Sequence, residues 1–466
     1  MTNFFAPLLC FCNAIYFASS VLPDPYRKID YMVDYYGYPF EKHVVETEDG
    51  YSIEVHRIPG GKGEKVNQTL INKPPAYLLH ALTQSSADWI SVGPQLSLAF
   101  LLADEGFDVW LGNCRGNLFG RNHKIYLETS YGFWNYRIPK LMVIEVGNSC
   151  QGSALPTDNK SELPTADKLA MLRDGSTVGK PTVARPIRRK PGLGSEYRHL
   201  WHEIGIYDMP ATIDMILKKT GKSQLYLGCF SQGCTASLVM GALKPDYNKK
   251  IRLAAKMGPV AFLGNMQGGG KMVLPTITKL LVPILERFGH FDVTTIALLT
   301  ILVTKLLKMH IIIPVIFNAI YAFVGPGHSN DNEQAIKMGA PFLLGGISSK
   351  QVLHYGLGVL NPNTFRQYDY GSEKNMIAYN SSDPPDYPLE EVTMPMVIFQ
   401  GKNDFCADPL DVELLMKRLP NVIQRFMRPV NHIDFGYNRN IRSLVYNKIV
   451  ELFKKSESKI SRNIRN

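Results

Sequence analysis

The sequence predicts an α/β fold: a mostly parallel central sheet flanked by helices, with a helical cap inserted into it. Three observations predict it. Short apolar runs alternate with helical runs along the chain, the βαβ rhythm of a parallel sheet covered on both faces. The runs AYLLHAL, QLYLGC and MPMVIFQG read as buried strands. A long helix-rich stretch parts the last strands from the others.

Each element follows from local pattern. HVVETEDGYSIEVHRIP holds two period-2 runs turned at Asp49-Gly50, a hairpin. The strand AYLLHAL follows, then the helix GPQLSLAFLLADEG, the strand FDVWLGNCRG, the helix EIGIYDMPATIDMILKKTG and the strand QLYLGC. Near the end, MPMVIFQGKND is a further strand, DPLDVELLMKRLP a helix and SLVYNKIVELFKK the final helix.

At 466 residues the chain holds one large domain with an insertion, or two domains. Apolar residues make up 45% and charged ones 20%, which supplies a core and excludes global disorder. The net charge of +10 gathers in the tail after Asn440 and around Arg185, without the interleaved aromatics of a nucleic-acid surface. No nucleic-acid partner is expected, and no obligate protein partner is evident.

Residues 1–20, MTNFFAPLLCFCNAIYFASS, read as a cleaved signal peptide, with an uncleaved anchor as the alternative. Core sequence is expected at 21–137, at 201–257 with the Ser231 turn, and at 389–466 with the basic tail; residues 258–388 form the cap or lid. Within the cap, Lys305, Lys308 and Pro314 break the longest apolar run, which favours buried and interfacial helices over a membrane span. Residues 138–200 are rich in Pro, Gly, Ser, Thr, Lys and Arg and lack periodicity, the pattern of a disordered insertion or of sequence foreign to the working protein. Asn67 and Asn380 begin glycosylation sequons. Past the leader five cysteines remain, with no CxxC spacing, so neither a zinc site nor a dense disulfide framework is implied.

The chemistry centres on CFSQG. Ser231 stands where a strand passes through a tight turn into a helix, whose N-terminal dipole favours a developing anion. Asp404 lies just past the strand MPMVIFQG and His432 in the later loop RPVNHIDFG, giving the order nucleophile, acid, base. Asp408 and Asp411 compete with Asp404, although Asp408 suits the cap of the helix that Pro409 begins. Asp434 suits a backbone partner. His80, His123 and His202 are scattered, so no metal site emerges, and no cofactor is needed. Cys229, where GxSxG has glycine, is read as a compact packing residue.

The chain resembles the acid lipase family of α/β-hydrolases in YYGYPFEKHVVETEDGYSIEVHRIP, QSSADW, DVWLGN, YDMPA, GKNDFCADPLDV and NHIDF. The resemblance implies an α/β-hydrolase fold, hydrolysis of acylglycerols or sterol esters, and Ser231, Asp404 and His432 as triad. It implies an oxyanion hole from the backbone amides of Leu82 and Gln232, a lipid ester substrate, transient contact with a lipid surface, and a secreted or lysosomal destination. A carrier that kept the fold and lost the activity is the alternative. Departures are Ala81 for the family's glycine, Cys114 for a serine, and the missing cysteine pair of the cap. A positive φ at Ala81 would strain the oxyanion turn by about 1 kcal/mol. Joining Arg137 to Trp201 gives GFWNYRWHEIGIYD, the family's uninterrupted pattern, so the insertion is either a lineage-specific loop or translated intron.

Overall fold

The computed structural model describes residues 29–65, 73–127, 133, 200–288, 318, 320–327 and 345–463. The leader, Asn67, residues 138–199 and much of the longest apolar run of the cap lie outside these residues. Along the described chain come α1 (Ile29–Tyr35), the hairpin β1 (Glu41–Glu46) and β2 (Tyr51–Ile58), and then β3 (Pro75–Leu79), α2 (Leu98–Asp104), β4 (Asp108–Gly112) and the short β5 (Asn122–His123). The sequence then runs through α3 (Met209–Thr220), β6 (Leu225–Phe230), α4 (Gln232–Leu243) and β7 (Ile251–Met257). Between β7 and β8 come α5 (Gly268–Phe288), α6 (Ser349–Leu360) and α7 (Ser372–Tyr379). The core closes with β8 (Met396–Gly401), α8 (Pro409–Arg418), β9 (Val422–Arg428), α9 (Asp434–Tyr437) and α10 (Asn447–Asn463).

The strands form one sheet in the order β1-β2-β4-β3-β6-β7-β8-β9, with β5 paired to β2. Pairing is antiparallel from β1 to β4 and parallel from β4 to β9, so the parallel part covers the centre and one edge. Its strands are buried on both faces because period-2 alternation sends neighbours to two separate cores. Tyr77, Leu79, Leu227 and Ile398 face one core, with Ile213 and Ile216 of α3, Leu238 of α4 and Val412 of α8. Leu78, Tyr226 and Phe399 face the other, with Val33 of α1, Phe100 of α2 and Phe453 of α10. Each fully buried side chain of this kind contributes roughly 1.5–3 kcal/mol.

Two local departures from the expected pattern have physical reasons. The helix expected from Glu203 onward is widened, with π-type turns over Ile204–Asp208. Pro210 at its start lacks an N–H and crowds the carbonyl four residues earlier, which a wider turn relieves. Strand β7 lies between β6 and β8 but is not a plain apolar run, since Arg252 and Lys256 interrupt it. Among the described residues no helix is long and apolar enough to cross a membrane.

Candidate active site

Ser231 follows β6 and caps α4 with φ 50° and ψ −114°, a conformation that an L-residue adopts only under constraint. Its N–H donates to Met257 O at 3.0 Å, while its own carbonyl accepts from the N–H groups of Cys234 (2.9 Å) and Thr235 (3.1 Å). Gly233 lets the turn close, because a Cβ there would stand 2.5 Å from Leu79 O. Gly228 serves the same purpose against Leu78, so both glycines matter for close approach, and neither has a positive φ.

Cys229 corrects the sequence reading. It is not a packing thiol: it forms a disulfide with Cys234 across the turn, at a Cα–Cα distance of 5.0 Å. The pair was not apparent from spacing because CxxxxC has no CxxC signature and because the turn geometry alone brings the two ends together.

The structure brings Ser231, His432 and Asp404 into one line. His432 Nε2 lies 2.8 Å from Ser231 Oγ, and His432 Nδ1 lies 2.8 Å from Asp404 Oδ2. With Nδ1–H donating to the carboxylate, Nε2 is left to accept the serine proton. Asp404 follows β8 and is fixed by the N–H groups of Cys406 (2.9 Å) and Ala407 (2.7 Å), both donating to its Oδ1. His432 follows β9, and its loop is held by the mutual bonds of Asn431 and Asp434, each accepting the other's N–H. Gly258, at φ +51°, passes beneath the pair, where a Cβ would come within 3.1 Å of Asp404 Oδ2.

The competing residues have other partners. Asp408 accepts from Leu410 N–H as a helix cap, and Asp411 binds Asn265. His123 accepts from the N–H groups of Ile125 and Tyr126, and His202 bonds Tyr387. His80 is buried, which pushes its pKa down to about 4, and its Nδ1–H donates to Ala81 O at 2.7 Å. Asp404, Cys406 and His432 offer ligand atoms within 4.8 Å of one another, but the first and last are already bonded together and Cys406 donates to Phe323 O.

Leu82 lines the same cavity as Ser231, and Gln232 follows Ser231 in the chain. Gln232 is the first residue of α4, where an N–H has no intrahelical acceptor. Leu82 lies in a turn closed by Gln84 N–H donating to Ala81 O. The expected strain at Ala81 is absent: the positive φ of this turn falls on Thr83, at 66°. That is the third position, where a type II turn requires it.

An apolar cavity of about 260 Å³ opens beside Ser231 and His432, walled by Leu82, Phe230, Met266, Leu274, Ile320 and Val352. Several supporting groups had no sequence signal. Tyr437 donates to the buried Asp88 at 2.8 Å, tying the histidine loop to the segment after the Ala81–Gln84 turn. Burial raises the Asp88 carboxyl well above its usual range. Lys256, fully buried on β7, donates to Ser237 Oγ of α4, and burial pulls its pKa down to about 7.

The chain is similar to known proteins along most of its length. Residues 29–93 match the family described as a partial alpha/beta-hydrolase lipase region, and residues 74–282 match the alpha/beta hydrolase fold. Gastric triacylglycerol lipase of Homo sapiens is 30% identical over 437 residues, spanning 92% of each chain. Lipase 3 of Drosophila melanogaster is 30% identical over 435 residues, spanning 89% of this chain and 90% of its own.

Proposed function

The chain belongs to the acid lipase family of α/β-hydrolases, and from that premise we propose that it hydrolyses acylglycerols or sterol esters through a covalent acyl-enzyme. The observation that carries the reading is the bonded line Asp404–His432–Ser231 at the mouth of an apolar cavity. His432, oriented by Asp404, takes the proton of Ser231 Oγ as that oxygen attacks the ester carbonyl. The amides of Leu82 and Gln232 receive the oxyanion, a contribution on the order of 2.7–4 kcal/mol for a single donor. The carbon–oxygen bond to the alcohol breaks, and the alcohol leaves with the proton held on His432. Water, deprotonated by the same imidazole, then releases the fatty acid.

The cavity walls would hold the acyl chain. Met272, Leu280 and Ile284 are exposed along α5 and suit transient contact with a lipid surface. The leader fits entry to the secretory route, with a secreted or lysosomal destination, and Asn380 is an exposed acceptor for glycosylation.

Wild-type protein and Ser231→Ala should be compared on a short-chain nitrophenyl ester and on triacylglycerol and cholesteryl ester emulsions. Ser231-dependent turnover is expected, with a loss on the order of 10⁴-fold or more in the variant. Equal rates in the two proteins would sink the hydrolase reading and leave a lipid-binding protein on this fold.

A further inference from the structure

We propose that the Cys229–Cys234 disulfide is a positioning element of the hydrolytic reaction, a covalent clasp that holds Ser231 and the Gln232 amide in working geometry. The proposal rests on the reading of Ser231 as nucleophile. The bridge joins the next-to-last residue of β6 to the first turn of α4, and the ring it closes contains Phe230, Ser231, Gln232 and Gly233. Both the attacking hydroxyl and one candidate oxyanion donor therefore sit inside a small covalent loop.

The need for such a clasp lies in the backbone. Ser231 holds φ 50° and ψ −114°, and a conformation so sparsely populated persists only where its surroundings over-determine it. Hydrogen bonds restrain the turn through the Ser231 N–H and carbonyl. The disulfide adds a restraint on the separation of strand and helix. It is seated on the sheet through Ser237, whose Oγ lies 3.9 Å from Cys229 Sγ, donates to Cys234 O at 2.7 Å and accepts from Lys256 Nζ. Both cysteines are fully buried, and neither lines the cavity beside Ser231. Loss of the clasp should therefore alter the placement of reacting groups and leave substrate binding intact. The bridge forms by thiol–disulfide exchange, in which two thiols lose two protons and two electrons to a disulfide oxidant such as oxidised glutathione.

Cys229→Ala, Cys234→Ala and the double variant should be assayed on a soluble nitrophenyl ester, with Ser231→Ala as reference. Each is expected to lose kcat by about tenfold or more, equally in singles and double because the pair acts as a unit, with KM within twofold of wild type. The rate of Ser231 modification by an alkylphosphonate should fall by the same factor. Wild-type kcat and phosphonylation rate in folded variants, with only a lower melting temperature, would overturn the proposal. So would alkylation of both Cys229 and Cys234 in denatured protein without reductant. Where the variants fail to fold, wild-type enzyme in dithiothreitol replaces them. Loss of kcat that returns on reoxidation supports the clasp, and unchanged kcat with both thiols free overturns it. Absence of Ser231-dependent turnover in untreated enzyme is a different result, which removes the hydrolase reading and the clasp with it.

Discussion

At Thr83 the backbone turns left-handed in a residue whose branched Cβ makes that conformation costly, by about 1–2 kcal/mol. Glycine would adopt it freely, at some cost in the entropy of the unfolded chain. Thr83→Gly is therefore expected to raise stability by about 0.5–1 kcal/mol, and Ala81→Gly to lower it by a similar amount without raising kcat. Urea denaturation midpoints and steady-state assays check both. A gain in turnover from Ala81→Gly would restore the view that the departure at Ala81 impairs the oxyanion side. That view came from the sequence, which marks a missing glycine but not which residue of a turn carries the positive φ. Ser231 and Asp404 follow strands whose apolar pattern is plain, whereas His432 follows the largely exposed β9 and is read from its place after Asp404 in the chain. The Cys229–Cys234 bridge stayed hidden because it depends on the width of the turn between them.

At the scale of elements, the unit β6–Ser231–α4 leans on β7, and β7 carries a buried amine near its C-terminal end. The folded protein holds Lys256 near pKa about 7, while the unfolded chain holds lysine near about 10.4. Between those values the unfolded state binds more protons, so stability from this site rises with pH across that window and is lowest below pH 7. Lys256→Met removes the buried ammonium and should stabilise the protein by about 1–4 kcal/mol at pH 6, with the gain shrinking toward pH 10. Chemical denaturation at the two pH values measures it, and a gain that grows with pH would contradict the burial argument. The sequence expectation omits β7 for the same reason: a strand interrupted by Arg252 and Lys256 does not read as interior, and only the sheet reveals that it lies between β6 and β8.

Across the whole molecule, the chain passes through Phe133 and resumes at Leu200 and Trp201, and Phe133 and Trp201 belong to the same apolar core. Leu200, expected to end the insertion, is instead buried with Leu285, Leu353 and Tyr368 and caps the next helix, so excising residues 138–199 and joining Arg137 to Leu200 is expected to leave the melting temperature within a few degrees and the esterase rate within twofold. A collapse of either would make the segment part of the working fold. The mostly parallel sheet with flanking helices was legible because it follows from hydrophobic period and the alternation of strands and helices, whereas the strand order was not. The pairing of the histidine loop with Asp88 was not, since Tyr437 and Asp88 are 349 residues apart.

The same wide spacing has a consequence in time. Protein synthesis delivers Ser231 well before Asp404 and His432, and the line of bonds between them requires β8 and β9 to be in place. On the proposed mechanism, a nascent chain that already holds Ser231 carries an idle hydroxyl, and any product that stops before His432 stays idle. The linear order of the residues thus acts as a zymogen without a propeptide: the finished sheet is the activation step.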